Sequence, residues 1–224
     1  MAVFSCDFTT SPADIGTNDA LTLQDIDRIV AQLRESPVAM QSIKIKGDER
    51  AWNDPIWAMF VTERQWLYLQ SRTSQKDWRQ AVQNAFERKN AGVKHPLFDS
   101  YESIMWSGVL IKRMNRYAIR FDKDDKVVVD TGGADGKTYT ESTVQAAQPV
   151  DRAIIVGAQA LGKAYGKSAS DYFYDWSEEE VDHGNAVEMV CASMSGAAKI
   201  RFNIDGADTD FGVAVVDSYA PDPA

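Results

Sequence analysis

Cysteine and histidine are scarce in this chain of 224 residues, with two of each. Cys6 and Cys191 lie far apart in unrelated contexts, which argues against a disulfide framework and a thiolate zinc site and leaves a reducing compartment as the default. His95 precedes Pro96 and His183 precedes Gly184, and neither has a partner at metal-ligand spacing beside it. Long apolar runs are missing as well. No stretch reaches the roughly 20 residues of a membrane helix, and the opening MAVFSCDFTTSPADIG has neither the basic start nor the apolar run of a signal peptide, so no membrane partner is expected. Positive charge is in deficit. The net charge is −9 and the cations from Arg113 to Arg120 are scattered, so counterion release from a phosphate backbone has little to act on. Sequence-specific nucleic acid is therefore not an expected partner. No repeat or low-complexity tract occurs, and 14 Gly and 7 Pro spread along the chain mark no linker.

What remains is a globular chain. At 44% hydrophobic residues it has the material for a real core, and a chain of this size buries roughly 70% of its unfolded surface. Residues 1–19 read as an irregular lead-in rich in Ser, Thr, Asp, Gly and Ala. From Thr22, a plausible N-cap, Leu23, Ile26, Ile29, Val30 and Leu33 recur at helical spacing until Pro37 closes the run. IWAMFVT (residues 56–62) predicts a buried strand, followed by helices over 63–70 and 77–89. Val109 to Ile111 reads as a strand and residues 117–145 as hairpin-rich. RAIIVGAQALGKAYGK (residues 152–167) shows small residues at helical spacing and predicts a helix packed close to a sheet, while MVCASMSGAAKIRFN and FGVAVVDSYA predict strands. Helices and strands mix without a βαβ rhythm, so the fold class is α+β, with no second independent core evident.

Several segments imitate catalytic motifs. GAQALGK, residues 157–163, spells seven positions of a P-loop, but Ala164 lacks the hydroxyl for Mg²⁺ and the interior AQAL consists of helix formers; a structural helix is the better reading. VVVDTGG, residues 127–133, resembles an aspartic-protease signature around Asp130, yet Gly133 stands where such enzymes have Ala and no buttressing segment follows. A strand entering a Gly turn explains it. DKDDK (122–126) and DGADTD (205–210) lack the spacing and terminal bidentate Glu of a calcium loop and read as solvated turns. SEEEVD, residues 177–182, reads as a solvated acidic face. No catalytic, cofactor-binding or metal-binding residue is assigned, and no cofactor is implied.

Four segments, in their order and spacing, resemble the coliphage N-four-like major capsid protein family. They are TLQDIDRIVAQL with DPIWAMFVTERQWLYLQ; HPLFDSYESIMWSGVLIKRMN; DRAIIVGAQALGKAYGK; and WSEEEVDHGNAVEMVCASMSGAAKIRFN with DFGVAVVDSYA. The resemblance runs from about residue 20 to the C-terminus. It implies the Hong Kong 97-type capsid fold, with residues 20–170 in an axial-domain-like region and residues 171–224 returning to peripheral-domain-like strands. It implies a structural protein, not an enzyme: the major capsid subunit of a tailed bacteriophage or prophage, self-assembling into pentamers and hexamers of an icosahedral shell around the DNA genome. The implied location is the virion, with synthesis in the host cytoplasm, and the implied partners are copies of itself and head proteins such as portal or cement protein. Members of that family carry an N-terminal arm, an E-loop and a spine helix ahead of the segment where this chain starts, and those parts are expected to be absent. Two other functions compete: a dimeric aspartic protease using Asp130, and a non-catalytic scaffold module that holds a protein through exposed Trp52, Trp57 or Trp106.

Overall fold

The computed structural model describes residues 2–5, 14–35, 40–45, 56–90, 96–98, 102–114, 119–130, 139–167, 173–204, 207–210 and 212–221. Its first strand, β1 (Ala2–Ser5), falls within the lead-in that reads as irregular. A four-residue strand is too short to carry a periodic signal, and only its partner far along the chain defines it. Helix α1 (Leu23–Glu35) forms on the predicted stripe and buries Leu23, Ile26, Ile29, Val30 and Leu33. Thr22 caps it reciprocally, its hydroxyl accepting from the Asp25 N–H at 3.3 Å while its own N–H donates to the Asp25 carboxylate at 3.0 Å.

Strand β2 (Trp57–Thr62) runs directly into α2 (Glu63–Arg72), because Thr62 both ends the strand and caps the helix. Gln65 N–H donates to Thr62 Oγ1 at 3.2 Å, and Gln65 Oε1 accepts from Thr62 N–H at 3.1 Å. Helix α3 (Gln75–Asn90) follows, joined to α2 by the edge-to-face rings of Trp66 and Trp78, 5.2 Å apart. Strands β3 (Ser103–Trp106) and β4 (Val109–Met114) form a hairpin whose two turn residues, Ser107 and Gly108, both have positive φ, the geometry that matches strand twist. Arg113 on β4 lies between Glu102 and Glu63, and its hydrogen bond to Glu102, ahead of the charge of Glu63, holds its pKa above the ordinary value.

The remaining strands are β5 (Ile119–Phe121), β6 (Lys126–Asp130), β7 (Tyr139–Gln145), β8 (Val150–Val156), β9 (Leu161–Tyr165), β10 (Tyr174–Val181), β11 (Ala186–Ser193), β12 (Ser195–Lys199), β13 (Arg201–Ile204), β14 (Ala207–Asp210) and β15 (Val213–Tyr219). The predicted helix over 152–167 is therefore β8, a turn and β9. Its small residues mimic helical spacing, but the β-branched run Ile154, Ile155 and Val156 favours a strand, and Gln159 (φ 61°) turns the chain. The close approach expected of its glycines does occur. A Cβ on Gly157 would lie 2.5 Å from the Gln41 carbonyl oxygen.

The chain divides into two units, residues 1–160 with 201–224, and residues 161–200. The first is built on a mixed sheet in the order β1-β15-β8-β2-β4-β3. Strand β8 is its axis. One edge of β8 pairs with β15 along its whole length, and the other is shared, residues 150–152 pairing with β5 and residues 154–156 with β2. Alternate residues of β2 and β4 face opposite ways and are buried both ways. Trp57, Met59, Val109 and Ile111 join the core under α1 and α2, whereas Leu110 packs with Ile56 and Phe98.

Polar side chains penetrate this core at one end of β8, one set on each face. On the helix face, Thr62 Oγ1 donates to Asp151 Oδ2 at 2.6 Å, and the Gln65 amide donates to the Asp151 carbonyl at 2.8 Å and to Ser218 Oγ at 2.7 Å. On the other face, Arg152 and Asp217, directly opposite in the β8–β15 ladder, form a buried two-pronged ion pair at 2.7 and 2.8 Å, and the guanidinium lies 5.0 Å from the Phe121 ring centroid.

Two outcomes in urea unfolding follow. Asp217→Ala removes the opposed carboxylate of the buried Arg152 and is expected to cost about 3–5 kcal/mol, whereas the double replacement Arg152→Met with Asp217→Leu returns stability to the wild-type value or above. Gly157→Ala forces the chain at Gln41 to move and is expected to cost about 1–3 kcal/mol.

Candidate interaction surface

The second unit, taken by itself, is one long antiparallel excursion. Strands β9 and β12 form its stem, with Leu161 opposite Lys199 and Tyr165 opposite Ser195, and β10 and β11 form its outer part, with Tyr174 opposite Ser193 and Val181 opposite Ala186. Gly166 N–H donates to the Met194 carbonyl at 2.8 Å between the two. The tip turns through Asp182, His183 and Gly184, all with positive φ.

Almost nothing in this arm is buried. Of the twelve large hydrophobic side chains exposed among the described residues, nine lie in residues 161–200, among them Tyr174 (66%), Trp176 (62%), Met189 (65%) and Met194 (75%). Directly opposed residues of an antiparallel pair share a face. One face of the outer arm therefore carries Tyr174, Trp176, Val187, Met189 and Cys191, with Glu178 opposite Met189 and Glu180 opposite Val187. The other carries Asp175, Ser177 and Val190, and sets Glu179 directly against Glu188. A two-stranded ribbon without a packed face is marginal in water, and this one also bears unfavourable like charges across the ladder. Its chemistry is that of a surface awaiting a partner.

The residues singled out in the sequence do not converge. Trp57 is buried, its indole N–H donating to the Met40 carbonyl at 3.1 Å with Arg34 over the ring at 5.4 Å; Trp106 packs against the same core, and Trp52 lies outside the described residues. The aromatic surface expected of those three is thus not formed by Trp57 and Trp106. Asp130 ends β6 opposite Tyr139, and residues 131–138 lie outside the described residues. Gly157 to Lys163 leads into the strand β9, so no helix N-terminus follows to bind phosphate. Residues 122–126 form an exposed turn in which Asp122 N–H donates to Asp125 Oδ2 at 2.7 Å. Residues 207–210 form β14 and residues 205–206 lie outside the described residues. Residues 177–182 are solvated, with residues 177–181 on β10 and Asp182 starting the tip turn; His183 is at the tip; Cys191 is exposed on β11; Cys6 and His95 lie outside the described residues. Among the described residues no group of three or more His, Cys, Asp or Glu is placed to hold a metal, and no helix is long and apolar enough to cross a membrane.

The apolar face of the arm was not anticipated, although its signal is in the sequence: Tyr174 and Trp176, then Val187, Met189 and Cys191, alternate on either side of a turn. Because Trp176 and Met189 support no core, Trp176→Ser with Met189→Ser is expected to change unfolding free energy by less than about 0.5 kcal/mol per site while lowering the binding of a hydrophobic dye.

Comparison with known proteins gives this arrangement a context. No curated protein matches the chain. Among solved structures, the capsid of Ralstonia phage GP4 superposes with a TM-score of 0.66 at 23% identity, covering 99% of this chain and 53% of that one. The capsid subunit of cyanophage Pam1 gives 0.57 at 16% identity (97% and 54%), and that of Helicobacter pylori bacteriophage KHP30 gives 0.52 at 12% (97% and 61%). At these identities the likeness is one of fold, and the chain spans between half and two thirds of the length of those subunits. A family model described as phage capsid protein matches residues 3–222, nearly end to end, and the chain belongs to that family.

Proposed function

We propose that this chain is the shell-forming major capsid protein of a tailed bacteriophage or prophage, with the Hong Kong 97-type fold, and that its copies form pentamers and hexamers of an icosahedral shell around the DNA genome. The observation that carries this reading is the match to the phage capsid protein family over residues 3–222. Two features of the molecule support it. The first unit has an apolar core buried on both sheet faces, suited to a rigid tile. The second is an arm whose apolar and charged groups point outward, suited to contacts with neighbours. In this reading residues 20–170 belong to the axial domain and residues 171–224 return to the peripheral domain.

Function in such a subunit is spread over surfaces. Each contact of ordinary size, about 800 Å² per partner, is modest, and stability comes from their number. No reactive site is needed, and the role is structural, not enzymatic. The site of action is the virion, after synthesis in the bacterial host cytoplasm, with portal or cement proteins as further partners.

Negative-stain electron microscopy of the purified chain at rising concentration tests this, first alone and then mixed with the separately expressed N-terminal segment of a longer relative. Rings, sheets or shells in either sample are expected. Monomers in both, at every concentration, would remove self-assembly as the function of this chain.

A further inference from the structure

The arm is the most one-sidedly charged part of the molecule. Residues 174–193 contain six carboxylates and no Lys or Arg. Glu178, Glu179, Glu180 and Glu188 make no salt bridge among the described residues. A surface that is both apolar and acidic selects a partner that is both apolar and basic.

The chain itself carries such a surface. The outer stripe of α3 exposes Lys76, Arg79, Gln80, Gln83 and Phe86 at successive helical turns. Lys76 lies in the first turn of the helix, where the macrodipole disfavours a cation, and neither Lys76 nor Arg79 makes a salt bridge among the described residues. Phe86 is 39% exposed at the other end of the stripe, with Glu87 next to it and away from the cations.

The spacings agree. On the apolar face of the arm, Glu178 and Glu180 lie about 7 and 13 Å along the strand from Trp176, at roughly 3.3 Å per residue. On α3, Arg79 and Lys76 lie about 10 and 15 Å from Phe86, at about 1.5 Å per residue.

We propose that the arm of one copy docks on α3 of a neighbouring copy, Trp176 and Met189 against Phe86, and Glu178 and Glu180 against Arg79 and Lys76. The contact rests on the shell reading above and gives it a specific interface. It joins two different surfaces, so it is heterologous and propagates into rings or lattices instead of stopping at a dimer. It weakens with salt, since its charges are exposed.

Sedimentation of the full chain against concentration and salt tests the contact. Glu178→Lys with Glu180→Lys, and separately Lys76→Glu with Arg79→Glu, are each expected to weaken association at least about tenfold. Mixing the two variants is expected to restore it, because each then offers the surface the other lacks. A covalent readout is independent of affinity: under a mild disulfide oxidant such as oxidised glutathione, which takes up the two electrons and two protons, Phe86→Cys is expected to yield disulfide-linked dimers and higher species through Cys191, all lost when Cys191→Ser is added. Association that survives both charge reversals overturns this contact and leaves the shell reading standing. A disulfide formed only within single chains also overturns the contact. A wild-type chain that is monomeric throughout, with no linked species, overturns the contact and the self-assembly reading together.

Discussion

The ion pair between Arg152 and Asp217 sets the register on which the central sheet depends. It sits where β8 and β15 face each other, both side chains buried, so its geometry admits one alignment. A slip of one residue in one direction would set Asp217 against Asp151, and in the other against Ala153, while moving every side chain of the strand to the opposite face. The adjacent residues lock the same alignment from the other side: Asp151 and Ser218 are themselves opposed, and Gln65 donates to both strands from the first turn of α2. Because Gln65 also closes the cap with Thr62, one polar seam ties the end of β2, the start of α2 and the β8–β15 ladder. Strand β1 then joins the far edge of β15, its Ser5 opposite Asp217.

The two units are two kinds of structure. In the first unit Arg152 pairs with Asp217, Gln65 donates to Ser218, and Thr62 donates to one oxygen of Asp151, while β2 and β4 are covered on both faces. The arm of residues 161–200 has the reverse character. Its hydrogen bonds are those of a ribbon, its large side chains are exposed, and its carboxylates repel one another across the ladder. Such a ribbon has little packing of its own to stabilise it, which is consistent with the proposed role in contacts between copies.

What could be read from the sequence follows the same division. Helices α1, α2 and α3 and strand β2 were legible because each has a strong local period, a cap or a continuous apolar run. The segment 152–167 was misread because Gly and Ala satisfy helical spacing without demanding it; the β-branched run at Ile154 to Val156 was the stronger signal. Strand β1 and the pairing of Arg152 with Asp217 were not legible, since both exist only through register with residues more than 60 positions away. The acidic segment at residues 177–182 was correctly read as solvated. Its position on an arm with an apolar face appeared only when β10 and β11 were aligned residue by residue.

The like-charged pair Glu179 and Glu188 gives the arm its final significance. It lies on the face opposite Trp176, so docking through the apolar face leaves it in water, where it weakens the ribbon by a modest amount. An arm too stable alone would present its apolar face in a fixed form and associate indiscriminately, because exposed apolar area has no direction. Carboxylates beside that area penalise every apolar surface that lacks matching cations, and repel the acidic arm of another copy most of all. The negative charge of the arm thus disfavours arm-to-arm pairing, leaving the cationic stripe of α3 as the complementary surface on another copy. In the proposed contact, specificity comes from that exclusion as much as from attraction.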